Sequence, residues 1–142
     1  ERGLLVLSTT VEHAGGAASF LAASKLNRVN RRILELYGTG GSYLATGSDV
    51  QTALVKAGRR PKDDPAGWGY EPREHWGVLH TAVGSRVVPS EQGNHGDYYA
   101  AFARAVADGG EVPVPVADAV RVLTVLDAAR RSAQEQRSVD LR

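Results

Sequence analysis

The sequence predicts an α+β domain in which a largely antiparallel, open β-sheet carries about three helices packed on one face. Two observations predict it. Early segments alternate apolar and polar residues and are joined by short glycine-containing turns, whereas later segments repeat apolar residues at helical spacing. The order is several strands, a helix, two more strands, two helices and a final strand, without the regular strand-helix alternation of a parallel doubly wound sheet. At 142 residues and 42% hydrophobic composition the chain can bury one core but is too short for two comparable domains, so a single domain over 1–142 is expected.

The elements follow in chain order. Leu4 to Glu12 and Ala17 to Leu26 read as two antiparallel strands closed by Ala14-Gly15-Gly16. Arg32 to Tyr37 puts Ile33, Glu35 and Tyr37 on one side and Leu34 and Leu36 on the other, a half-buried third strand. Gly38-Thr39-Gly40-Gly41 turns the chain into a fourth strand over Ser42 to Ala45. Ser48 and Gln51 have capping-box spacing, Val50, Leu54 and Val55 form a narrow stripe, and Gly58 stands where a helix ends, which predicts about three turns of helix. Arg59 to Arg73, rich in Pro and Gly, reads as a long irregular loop. Trp76 to Val83 and Arg86 to Pro89 form a hairpin around Gly84-Ser85.

Asn94 then caps a helix to Asp108, with Tyr99, Phe102 and Val106 facing the sheet and Gly109-Gly110 ending it. After Val112-Pro113-Val114-Pro115, a helix from Val116 to about Gln136 turns Val116, Ala119, Val120, Leu123 and Leu126 inward and places Asp127 to pair with Arg131. Ser138 to Leu141 reads as a terminal strand. The uncovered sheet face must stay wet, dimerise or pack on another domain.

Composition narrows the function classes. A net charge of +1 gives no field to gather nucleic acid or an anionic membrane. With no cysteine, disulfides, thiolate zinc sites and cysteine nucleophiles are excluded, which suits a reducing, cytoplasmic setting. The apolar run Gly3 to Leu7 is far too short to cross a bilayer. The absence of methionine and the strand that follows Glu1 read as a processed or truncated piece. The expected partner is a small molecule or another protein.

Gly38-Thr39-Gly40-Gly41-Ser42 follows a strand, yet a dinucleotide fingerprint would need glycine at Tyr43 and a helix after it, so it reads as an ordinary turn. The four histidines form no metal constellation: His75 and His80 would point to opposite faces of one strand, and His13 and His95 stand apart. His95, beside Asn94, either lines a pocket or carries a proton, or is a plain loop histidine. Lys25, Arg28, Arg31 and Arg32 form a basic run that is either a solvated loop or a site for a carboxylate, a phosphate or a cofactor domain, and Asn27 could contact a sugar hydroxyl. Trp68, Tyr70 and Trp76 either wall a sugar-sized pocket or anchor the loop. Asp63, Asp64, Glu71 and Glu74 lack the paired arrangement of a glycosidase, and no acid, base and nucleophile set converges.

The motif order resembles the C-terminal domain of the Gfo/Idh/MocA (glucose-fructose oxidoreductase and inositol dehydrogenase) family. Leu36 to Tyr43, Asp49-Val50-Gln51, Lys56 to Pro61, Gly67-Trp68-Gly69-Tyr70-Glu71-Pro72, Gly96 to Phe102, Val112-Pro113-Val114 and Val139-Asp140-Leu141 carry the resemblance, from about Ala17 to the end. It implies a dihydrodipicolinate-reductase-like C-terminal domain. The activity implied is hydride transfer between a nicotinamide cofactor and a hydroxyl carbon of a sugar, polyol or related small molecule. NAD or NADP would be held by an N-terminal Rossmann domain absent from this chain, with none bound by this segment alone. The implied partners are that domain, a small-molecule substrate and further copies of the chain joined through the open sheet face. No catalytic, cofactor-binding or metal residue carries over. Lys25, Asn27, Arg28 and the Trp68 to Glu71 loop become candidates for substrate contact, together with His95. The other class left open is a stand-alone, non-catalytic binding or dimerisation module.

Overall fold

A computed structural model describes residues 6–29, 32–47 and 49–141. Its strands are β1 (Val6–Glu12), β2 (Ala18–Ser24), β3 (Leu34–Gly38), β4 (Gly41–Ala45), β5 (Gly77–Thr81) and β6 (Gly84–Val88), and its helices α1 (Gln51–Lys56), α2 (His95–Asp108) and α3 (Val116–Glu135). The α+β class with antiparallel strands and three helices is as predicted. The strands form two sheets rather than one: β1 pairs with β2, and β3-β4-β5-β6 form a second sheet of neighbouring strands. The chain divides into two compact units, Glu1–Val29 with Val112–Arg142, and Asn30–Glu111.

The first unit holds the β1–β2 hairpin and α3. Gly16 closes the hairpin turn by donating to the His13 carbonyl at 2.9 Å. Phe20 is 81% exposed, and Val116, Val120, Leu123 and Leu126 on α3 are exposed rather than turned inward. An apolar stripe signals a face to be covered, not what covers it. Asp127 pairs with Arg130 at 3.0 Å rather than with Arg131, as Asp118 does with Arg121. Both three- and four-residue steps bring helix side chains together, and these short carboxylates meet the nearer arginine. Ser138 to Leu141 is not a strand. After Gln136 turns left-handed at φ 51°, the Ser132 hydroxyl donates to the Arg137 carbonyl at 2.7 Å and holds the tail as a turn.

The second unit is a four-stranded meander with α1 and α2. The Gly38 to Gly41 segment is a two-residue hairpin turn, with Gly38 opposite Gly41. Tyr37, Ser42, His80 and Ser85 form one cross-strand row, and Leu36, Tyr43, Leu79 and Arg86 form the next, on the opposite face. The strand that was to be half buried is open on both faces, with Tyr37 77% and Leu36 54% exposed.

Three expectations change here. The β5–β6 turn is Ala82-Val83, and Gly84 and Ser85 already belong to β6, with Gly84 paired to Thr81. His75 ends a short 3-10 turn (Arg73–His75) instead of sharing a strand with His80. Helix α1 has six residues rather than about three turns. It starts late because Asp49 accepts from the Gln51 N–H at 2.9 Å and from Thr52, while Ser48 of the expected capping box lies outside the described residues, as do Leu4, Gly3 and Arg31. Its end is as predicted: Gly58 donates to the Val55 carbonyl and Arg59 to that of Leu54, a Schellman closure.

Helix α2 also starts and stops as predicted. The Asn94 side chain accepts from the Gly96 N–H at 3.0 Å, and Gly109 ends the helix at φ 67°. Its aromatic side is not buried, however. Tyr99, Phe102 and Val106 are exposed, Tyr98 stacks on Phe102 with ring centres 6.3 Å apart, and Ala105 is the buried residue of the helix.

Candidate functional site

The site forms within the Asn30–Glu111 unit, where three segments distant in sequence converge. Gln51, at the first turn of α1, is 5% exposed, as is Trp68 from the long loop. The Gln51 side-chain carbonyl accepts from the Trp68 indole N–H at 3.0 Å and from the His95 backbone N–H at 3.0 Å. Gln92 donates to the Trp68 carbonyl at 2.7 Å, and the Gly93 N–H donates to the Gly69 carbonyl at 2.9 Å. Gly69 has φ +78°, and a Cβ there would overlap the Gly93 carbonyl oxygen, so glycine is needed both for the turn and for the approach.

The loop that this anchoring holds carries Tyr70 and Glu71. One Glu71 carboxylate oxygen accepts from the Ser90 hydroxyl at 2.6 Å, and the other lies against Gly47, where a side chain would collide with it. The Glu71 backbone carbonyl accepts from the Trp76 indole N–H at 2.9 Å. Across from this wall stand Asp49 and Val50. Asp49 is held ionised below its ordinary value of 3.8, first by the Thr52 hydroxyl, which outweighs the cost of burial, and then by the smaller contributions of the Gln51 and Thr52 backbone N–H groups and of His95.

Between the walls is an open pocket of about 590 Å³, lined by Thr46, Asp49, Val50, Leu54, Tyr70, Glu71 and His75 among others. That volume suits a small ligand. Its floor is apolar, and its polar groups are two carboxylates, an imidazole and two hydroxyls, with no Lys or Arg in the lining. Such a set can accept hydrogen bonds from several hydroxyl groups while an aromatic ring packs on C–H surface. A larger depression of about 660 Å³ lies in the other unit between α3 and the C-terminal tail. Its acids and arginines occur in equal number, and Asp127 and Arg137 are each engaged by a charge outside the lining, Arg130 and Glu135, leaving little for a ligand to complement. Among the described residues no group of three or more metal-ligating side chains converges, and no helix is long and apolar enough to cross a membrane.

Of the residues singled out from sequence, Tyr70 and Glu71 line this pocket, Trp68 is buried behind them, and His95 opens α2 beside Asp49. Lys25, Asn27 and Arg28 belong to the other unit, exposed, with Asn27 accepting from the Val29 N–H at 2.9 Å in a local turn. Sequence reasoning missed Asp49, His75 and Thr46 as lining, and took Gln51 for a capping residue. The Asp49-Val50-Gln51 motif was the available signal.

A model of an oxidoreductase family's C-terminal alpha/beta domain matches residues 7–141. The chain is 32% identical over 111 residues to the scyllo-inositol 2-dehydrogenase (NADP(+)) IolW of Bacillus subtilis (strain 168), which covers 75% of this chain and 30% of that protein. It is 34% identical over 111 residues to the uncharacterized oxidoreductase YdgJ of Escherichia coli (strain K12), covering 75% of this chain and 31% of that one. The chain thus spans less than a third of the length of these curated relatives. In structure it resembles Bacillus subtilis yvaA, described as an oxidoreductase, with a TM-score of 0.79, 26% identity, and coverage of 96% of this chain and 45% of that one. A Bacteroides fragilis protein, likewise described, gives 0.74, 28%, 96% and 46%.

Proposed function

Because the chain belongs to the Gfo/Idh/MocA oxidoreductase family, whose C-terminal alpha/beta domain it matches over residues 7–141, we propose that it is the C-terminal part of an NAD(P)-dependent oxidoreductase acting on a hydroxyl carbon of a sugar, polyol or related small molecule. The pocket between Asp49 and the Tyr70-Glu71 wall carries this reading. Glu71 and Asp49 accept hydrogen bonds from substrate hydroxyls, Tyr70 packs against the C–H face of the ring, and the buried Trp68 backs the wall.

The dinucleotide would be held by a Rossmann domain outside this chain. The described residues do not fit its phosphates: the glycine turn after β3 leads into another strand, and α2 opens with the Asn94 cap and Asp97, which places a negative charge where a phosphate would sit. The contribution of this chain is therefore placement of substrate. The exposed apolar residues of the sheets, Phe20 and Tyr37 among them, support a second role in assembling copies of the enzyme.

The full-length gene product, assayed for NADP⁺ and NAD⁺ reduction with a panel of cyclitols, hexoses and alditols, is expected to oxidise at least one polyol. Replacing Glu71 by Gln is expected to raise KM for that polyol roughly tenfold, the value of one charge-assisted hydrogen bond. No turnover across the panel, with the chain folded and self-associated, would instead favour a binding or dimerisation module.

A further inference from the structure

We propose that Gln51 is a positioning residue of the substrate pocket, setting the distance between its two walls although it does not line the pocket itself. This rests on the function proposed above.

Glutamine at the start of a short helix ordinarily points to solvent, where it would do nothing specific. Here it is 5% exposed, and its single carbonyl oxygen receives two donors from separate later segments of the chain, the Trp68 indole and the His95 amide, each at 3.0 Å. Each donor stands at a junction. Trp68 is two residues before Tyr70 and three before Glu71, which form one wall, and the Gln51 backbone N–H is bound by Asp49, which belongs to the other. His95 begins α2.

One oxygen thus ties the Asp49 wall, the Tyr70-Glu71 wall and the first turn of α2 to a common point. The remaining hydrogen bonds, Gln92 to the Trp68 carbonyl, Gly93 to the Gly69 carbonyl and Ser90 to Glu71, join only the last two of these, and apart from Gln51 the Asp49 side meets the loop through the packing of Glu71 on Gly47. Without the Gln51 carbonyl the loop stays attached to the segment before α2 but loses its link to α1, so the walls can part. A substrate that must touch both walls feels that displacement as weaker binding.

The test uses the full-length gene product with Gln51→Leu, which keeps the bulk and removes the acceptor, and Gln51→Glu, whose carboxyl oxygen still accepts both N–H groups. Gln51→Leu is expected to raise KM for the polyol by on the order of tenfold, with kcat and KM for NADP⁺ nearly unchanged. It should also accelerate amide exchange in peptides spanning 66–71 and 93–97. Gln51→Glu should restore both. Unchanged KM in Gln51→Leu, or equal loss in both variants, would overturn the proposal. If the wild-type protein oxidises no polyol, it is the functional reading that fails. Exchange alone then decides: faster exchange confined to Gln51→Leu supports the positioning role, and equal exchange in all three proteins refutes it.

Discussion

Asp49 ties the site to pH. Its carboxyl is held below the ordinary value of 3.8, chiefly by the Thr52 hydroxyl, so the folded state binds the proton less readily than the unfolded chain. The stabilisation is therefore fully present above that ordinary value and is lost as pH falls through the depressed one. Asp49→Asn keeps an oxygen to cap α1 but removes the charge, and is expected to flatten the acid limb of a stability-pH curve measured by urea unfolding. An acid limb identical to that of the wild type would count against it. At Gly69, alanine would meet both the positive φ and the Gly93 carbonyl. Gly69→Ala is expected to destabilise by about 2–4 kcal/mol, readable as a lowered midpoint in thermal denaturation, whereas Gly15→Ala, in open space, should change little. That Tyr70 and Glu71 line the pocket was foreseeable because tryptophans beside a long irregular loop suggest a pocket wall. The buried bridging of Gln51 was not, because its partners lie 17 and 44 residues away and the nearby Ser48 offered a local explanation for it.

At the scale of single elements, what local chemistry decides was legible and what tertiary contact decides was not. The ends of α1 and α2 at Gly58 and Gly109 and the Asn94 cap came out as read, since each is settled within a few residues. Asn94→Ala is expected to cost about 1 kcal/mol, the usual worth of such a cap, checked by chemical denaturation against Asn94→Ser, which should cost much less. The start of α1 was misread because the Asp49 carboxylate accepts from the N–H groups of Gln51 and Thr52. The β5–β6 turn was misplaced because glycine was taken as a turn marker, whereas Gly84 occupies the strand position opposite Thr81 and the turn is made by Ala82-Val83. The β3–β4 turn, with glycines at both flanking positions, left no such ambiguity.

For the molecule as a whole, the sequence disclosed which faces are apolar but not what they meet. Periodicity along β3 and α3 is present as read, yet Leu36, Tyr37, Val120 and Leu123 are exposed. Periodicity measures the sidedness of an element, and sidedness is the same whether the partner is another helix, another domain or another copy. The reading of these surfaces as assembly surfaces predicts that Tyr37→Arg, which places charge on the exposed face of β3, dissociates the full-length protein, as judged by sedimentation equilibrium. An unchanged mass distribution would remove that face from the interface.

The division of the chain also sets an order of events. One unit is contiguous, running from Asn30 to Glu111, while the other is assembled from segments on either side of it. Contacts between near residues form sooner than those that close a long intervening stretch. On the ribosome the central unit and the β1–β2 hairpin, each closed by local pairing, can form while α3 is still being synthesised, and only the joining of the two flanking segments waits for the last helix.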